Sequence, residues 1–477
     1  MTSLKNSFWV KTAWFTLLAY FIGLAGGSKE FSYFHFKIGP IPVFIGELAL
    51  FLSLVLTWVH RDTVLSKIPK AFRYALLVYL GWGAVLLPIS ILKKDAEIEM
   101  VQILRDSALF YQALWILFGL MLTQTRWKTW LTACLIGVGA AQFIGWSHYA
   151  FYGLVYRMSM SGFFGFIYGN ESFSYLFPFT IVLWPTIWAL LLTFAYGDAI
   201  LGLFIIYFKK TWILNILAIA VPATIWTTYK KFGLKLGVKK ISALATSLTI
   251  GLVLAGYVAQ NVAILDYQRQ KEDVEQWLYE KAQRHGAKRP YLEGKSELTK
   301  PMSIMEQIRT RTKDPTSFFF HGEVDEKEKV HPFVAYVAWR AFLWKQAWQG
   351  FLAHPFLGNG YGPRVVHTQL NGLPTVWEGK WISGPHNSFL TVAFRGGIIA
   401  IISLFVLLFS AIWEWIKTLK LSRSLPLESN LALAALLIQV VSILFNVVLE
   451  NPQNGTLFWV LLGSLIRLTH PPDHEVI

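Results

Sequence analysis

The chain has 477 residues, 55% of them apolar and only 15% charged, with a mean hydropathy of +0.46, whereas a soluble domain carries roughly 25% charged residues. With repeated apolar runs near the ~20 residues that cross a bilayer, this excludes an ordinary soluble domain and predicts an all-α polytopic membrane protein. The formal charge of +15 then speaks for cytoplasmic loops and anionic headgroups, with no nucleic-acid partner, and the single cysteine, Cys134, excludes an intrachain disulfide or a Cys-based metal site.

The predicted spans, in chain order, are 8–27, 41–59, 71–92, 107–124, 129–151, 172–193, 194–208, 211–228, 241–264, 388–414, 431–449 and 454–467. The first follows Lys5, lacks a small-residue cleavage site and is followed by many others, so it reads as a retained helix rather than a signal peptide. The second carries Glu47, which would cost about 2.5 kcal/mol or more facing lipid. It is therefore expected to face protein, as a structural partner or a substrate contact. The apolar stretch 171–208 is read as two spans, with Pro185 or Gly197-Asp198 at the turn.

Twelve spans with both termini inside put Arg61, Lys67, Lys70, Arg73, Arg126, Lys128, the cluster Lys230–Lys240, Lys417, Lys420 and Arg423 on the cytoplasmic side, as the positive-inside rule requires. The expected organisation is residues 1–264 with spans one to nine, an extracytoplasmic loop subdomain at 265–385, spans ten to twelve within 386–470, and a cytoplasmic tail at 471–477. The loop subdomain holds about a quarter of the chain but half of its 28 acidic residues. Within it, 266–285 has the mixed charge of a helix continuing out of the preceding span. Residues 288–330 are polar and Pro-interrupted, and 332–354 form an aromatic helix between Pro332 and Pro355, suited to the membrane interface.

Chemistry is sought where polar residues interrupt this pattern. Arg340 and Lys345 are the charges on the aromatic helix. A partly desolvated guanidinium suits a planar anion such as phosphate, or else it snorkels or pairs with an acid. The run from His354 to Arg364 has three alternating glycines, Gly358, Gly360 and Gly362, which permit a tight turn or let backbone N–H groups approach an anion. Arg364 is a possible second anion contact. His386 follows Gly384-Pro385 at the entry to a span, where an imidazole can act as general base or merely cap the helix. Arg157 and Asn170 bracket the loop before the sixth span, and Arg105-Asp106 closes the second outside loop. The histidines show no paired metal spacing and no HExxH.

Together, Arg340-x-x-Leu343-Trp344, then His354-Pro355-x-x-Gly358-x-Gly360-x-Gly362, then His386-Asn387-Ser388-x-Leu390 resemble the bacterial O-antigen ligase and O-antigen polymerase superfamily. The family string of His, a polar residue, nine residues and Gly runs here from His386-Asn387 to Gly397. Arg157 with Asn170 sits where such proteins carry an Arg-to-Asn stretch. The motifs depart from the family at Arg395, where an acid is usual, at Trp344, at Ala400, and in lacking a Ser-Arg pair in 195–240.

The resemblance implies a GT-C-like membrane glycosyltransferase without metal or other cofactor. Its site would face the periplasm or exterior of the cytoplasmic (inner) membrane. Its donor would be a glycan on undecaprenyl diphosphate, and its acceptor a glycan, lipid A-core or protein. Arg340 would hold the departing diphosphate and His386 would deprotonate the acceptor hydroxyl, with Asn387, Arg157, Asn170 and Arg364 as substrate contacts. The competing readings are a metal-dependent polyprenyl-phosphate-sugar transferase and a lipid-linked glycan flippase or other transporter. The first expects acids in the first outside loop, where 28–40 holds only Glu30. The second expects an internal repeat.

Overall fold

The computed structural model describes residues 8–148 (except 27–30, 32–33, 39–40, 62–63, 65–67, 94–97 and 99), 332–365, 384–422 and 425–470. The predicted spans between 172 and 264, the residues 266–330, Arg157 and Asn170 lie outside these.

The described residues are mostly helical. Helix α1 spans Phe8–Gly26, and a short antiparallel hairpin comes next, β1 His35–Ile38 paired with β2 Ile41–Phe44. Helix α2 spans Ile45–Val59, α3 Lys70–Leu92 and α4 Met100–Tyr111. A tightened turn at Gln112–Leu114 leads into α5, Trp115–Met121, and α6 is Gln124–His148. After the undescribed stretch come α7 Pro332–Ala353, α8 Ser388–Ser422, α9 Leu427–Phe445 and α10 Pro452–Thr469. Among the described residues, Phe8–Gly26, Lys70–Leu92, Met100–Met121 and Ser388–Leu421 are long and apolar enough to cross a membrane.

Each predicted span within the described residues contains a helix, with informative differences. The span expected at 41–59 opens as the second strand of the hairpin, because Ile41-Pro42-Val43-Phe44 pairs with His35–Ile38 before the helix starts. Glu47 caps that start. Its Oε2 accepts the Phe44 N–H at 3.1 Å and its Oε1 accepts the Tyr111 hydroxyl at 2.9 Å, which is structural pairing rather than lipid exposure. The span expected at 107–124 begins at Met100, so Arg105 and Asp106 sit inside a helix rather than in a loop.

Helix α10 is the hub. Every residue from Gln453 to Thr469 is buried. A helix ringed by protein has no lipid-facing side, so it tolerates Gln453, Asn454, Thr456, Ser464 and Arg467. It crosses α5 where Gly463 meets Gly119; a Cβ on either would overlap the other helix's backbone, and small residues are the means by which membrane helices approach closely. Aromatic side chains fill the rest. Trp115 stacks on Tyr20, Phe118 on Phe21, and Tyr79 packs between Phe110 and Trp459.

The ends of the bundle differ in composition. One end gathers the hairpin, the C-terminal half of α3, the start of α4, residues 354–365, the start of α8 and the α9–α10 turn. The other gathers Lys70, Arg73, Arg126, Lys128, Lys417 and Lys420.

Candidate functional site

The site is built from a break in α8. At Gly397 the backbone turns to φ 65°, ψ −161° in the middle of an otherwise continuous helix, a region essentially restricted to glycine. The break strips neighbouring backbone groups of their helical partners. Unsatisfied groups of this kind cost several kcal/mol in a membrane interior, and irregular backbone persists there only where protein supplies new partners.

The Gly-rich run supplies them. The Phe394 carbonyl accepts from Asn359 N at 2.8 Å and Asn359 Nδ2 at 3.1 Å, and the Arg395 carbonyl accepts from Gly360 N at 3.0 Å. The Gly396 carbonyl accepts from the Trp82 indole at 2.7 Å, and Ile398 N donates to the Pro355 carbonyl at 2.7 Å. Gly358 must be glycine twice over: its φ is 70°, and a Cβ would collide with the Arg395 carbonyl. Of the two readings of these glycines, the structural turn is therefore the one realised. The clasp also grips α3, where Tyr361 donates its hydroxyl to the Gly83 carbonyl at 2.8 Å and its N–H to Ser90 Oγ at 2.8 Å.

Arg395 locks this arrangement. The guanidinium is 2% exposed, pairs with Asp106 at 2.8 Å, and donates to the Gly360 carbonyl at 3.2 Å and the Pro363 carbonyl at 2.6 Å. Asp106 also accepts the Gly362 N–H at 3.0 Å. The residue that departs from the family string thus has its counter-charge on α4. Adjacency in sequence suggests Arg105 and Asp106 as a loop-end pair; in the fold Arg105 is exposed and Asp106 is the buried partner of Arg395.

His386 lies nine residues before Arg395, just ahead of α8. Its φ is 52°, the one positive value among described non-glycine residues, and such a conformation costs about 1–3 kcal/mol. The next residues hold this strain. Asn387 is the N-cap of α8: its Oδ1 accepts the Leu390 N–H at 3.1 Å and its carbonyl accepts the Thr391 N–H at 2.9 Å. That occupies Asn387, the candidate substrate contact, in capping, while His386 remains half-buried. Capping of α8 is thus done by Asn387 and not by His386.

Ser388 joins this turn to the α9–α10 turn. Its Oγ accepts the N–H groups of Val448 at 2.9 Å and Leu449 at 3.2 Å, and it makes a short hydrogen bond to the Glu450 carboxyl. Burial pushes the Glu450 carboxyl above its ordinary range, against the opposing pull of the Ser388 and Thr391 hydroxyls and the Arg395 charge. Sequence reasoning misses Glu450 entirely. Its only signal is an acid at the edge of a predicted span, next to Asn451-Pro452.

Arg340 lies on α7, 5% exposed, one turn before Leu343, which packs with Ala347, Val365 and Phe394. Gly350 lies against the Phe394 ring and the Pro355 carbonyl reaches Ile398, so α7 and the start of α8 run side by side in the same direction. At 1.5 Å per residue, Arg340 is ~15 Å before Gly350 and His386 ~12 Å before Phe394. Both therefore lie on the N-terminal side of the Gly350–Phe394 contact, on neighbouring elements. Arg364 is half-buried beyond Pro363, on the clasp. Among the described residues no three metal-ligating side chains come together.

These features define a class: a helical membrane protein with a broken helix and a buried ion pair at one end of the bundle. Compared with protein-family models and with curated proteins, the chain matches none.

Proposed function

We propose that the protein is a membrane glycosyltransferase of the O-antigen ligase and polymerase type, transferring a glycan from an undecaprenyl-diphosphate donor at the outer face of the cytoplasmic membrane. The observation that carries this reading is a buried arginine on α7 and a half-buried histidine held in a left-handed turn at the start of α8, on two helices that run side by side.

In this reading the His386 imidazole takes the proton of the acceptor hydroxyl. The acceptor oxygen attacks the anomeric carbon, and the bond from that carbon to the diphosphate oxygen breaks. The diphosphate leaves with the electron pair, and Arg340 balances its growing charge. Diphosphate is a good leaving group, so the protein supplies positioning, a cation and a base. The exposed Trp348 and Leu352 on α7, with Phe356 just beyond its end, give a polyprenyl tail an apolar wall.

The test is transfer in vitro from a defined undecaprenyl-diphosphate oligosaccharide, with product length separating polymerase from ligase. His386→Ala and Arg340→Ala each abolish transfer while membrane insertion persists. Full transfer by both variants would overturn the assignment. Build-up of donor on the cytoplasmic face in cells lacking the protein would favour a flippase.

A further inference from the structure

The His386 turn rests on a carboxyl that the proposed reaction does not use. We infer that Glu450 is a positioning residue for His386, tying the turn that bears the imidazole to the α9–α10 turn through Ser388.

Hydrogen-bond accounting carries the inference. Ser388 Oγ has two lone pairs and one proton. The lone pairs are taken by the Val448 and Leu449 N–H groups. Its proton therefore points to an acceptor, either the Asn446 carbonyl at 3.1 Å or the closer Glu450 Oε2. The shorter contact makes Oε2 the nearer acceptor.

The other oxygen, Oε1, is buried with no hydrogen-bond partner. It faces Gly384: a side chain started there would lie 4.0 Å from Glu450 Oε1 and 4.0 Å from Thr391 Oγ1. The Thr391 hydroxyl stands between two acceptors, the Asn387 carbonyl at 3.1 Å and the Glu450 carboxyl. With the Thr391 proton on the Asn387 carbonyl, a proton on Oε1 serves Thr391 Oγ1, and burial favours that neutral form.

The neutral carboxyl bridges Ser388 and Thr391, the residues on either side of the first turn of α8. Both anchor the strained turn at Gly384-Pro385-His386. The amide of glutamine reproduces this pattern, with its oxygen accepting from Ser388 and its NH2 facing Thr391.

The experiment has an arm independent of catalysis. His386→Cys is placed in a Cys134→Ala background, and maleimide labelling of position 386 in membranes is timed with Glu450, Glu450→Ala and Glu450→Gln. The expected result is labelling roughly tenfold faster with Glu450→Ala, as the turn opens locally, and near the parent rate with Glu450→Gln. With His386 intact, Glu450→Ala lowers kcat about a hundredfold with little change in KM, since a misplaced base loses rate rather than binding, and Glu450→Gln rescues it.

Unchanged labelling with Glu450→Ala overturns the inference. Labelling with Glu450→Gln as fast as with Glu450→Ala overturns the neutral bridge. The activity arm rests on the proposed function, and the labelling arm does not. A labelling response beside full transfer by His386→Ala upholds the positioning and refutes the catalytic role of His386.

Discussion

The two ends of the bundle hold their charges in opposite ways. At the basic end, Lys128 pairs with Glu428 at 3.0 Å with half of the lysine side chain exposed, and Glu414 lies 3.8 Å from Lys417 and 3.2 Å from His470. At the site end, Asp106 and Arg395 meet at 2.8 Å almost without exposure, and the guanidinium also holds two backbone carbonyls of the clasp. Similar distances thus conceal different consequences. The basic-end lysines are half exposed and stay solvated without their acids, whereas Arg395 without Asp106 is a stranded buried charge.

The largest effect should come from stranding Arg395. Asp106→Ala is expected to cost about 3–5 kcal/mol, seen as a lower thermal midpoint in detergent. Removing both charges with Asp106→Ala and Arg395→Met should recover much of the loss; no recovery would mean that the hydrogen bonds to the clasp, not the charge, dominate.

Next comes the backbone. Gly397→Ala forces a side chain into a glycine-only conformation against the Phe356 carbonyl, costing at least about 1–3 kcal/mol. Limited proteolysis should show early cleavage in 354–365.

Glu450 gives a pH signature at the site end alone. Its carboxyl is raised on folding, so folding favours the protonated form. That stability is fully present below the ordinary carboxylate value of 4.5 and is lost as pH rises through the folded-state value, with a slope of at most about 1.4 kcal/mol per pH unit. Arg395 and Tyr79 are the ionisable neighbours whose charges couple to it. Thermal midpoints should therefore decline with rising pH in the parent protein and decline less in Glu450→Gln. Equal slopes would show that Glu450 is ionised throughout.

The smallest effect belongs to the basic end. Lys417→Ala, which removes a half-exposed cation 3.8 Å from Glu414, should change stability by about 0–1 kcal/mol and less at high salt, in the same thermal assay.

The legibility of these features depends on their range along the chain. Hydropathy locates α1, α3 and α8 and brackets α7 between Pro332 and Pro355 to within a residue, because length, apolarity and proline punctuation act locally. The hairpin before α2 is hidden from it, because Ile41-Pro42-Val43-Phe44 is as apolar as the helix it precedes. At the site, His386 and Arg340 stand out by residue type alone. Gly397 is legible as a motif position without its reason, since the carbonyls it releases find their donors some 35 residues upstream and, for the Trp82 indole, on another helix.

By itself the sequence determined the solvent, the helical elements and the residues with chemistry to offer, since each depends on neighbours a few positions away. Only the tertiary structure decided that Arg395 belongs with Asp106, that the glycines form a clasp, and that Glu450 lies beneath the His386 turn. Those are pairings of polar groups distant in sequence, and burial, which no local pattern encodes, is what makes each partner necessary.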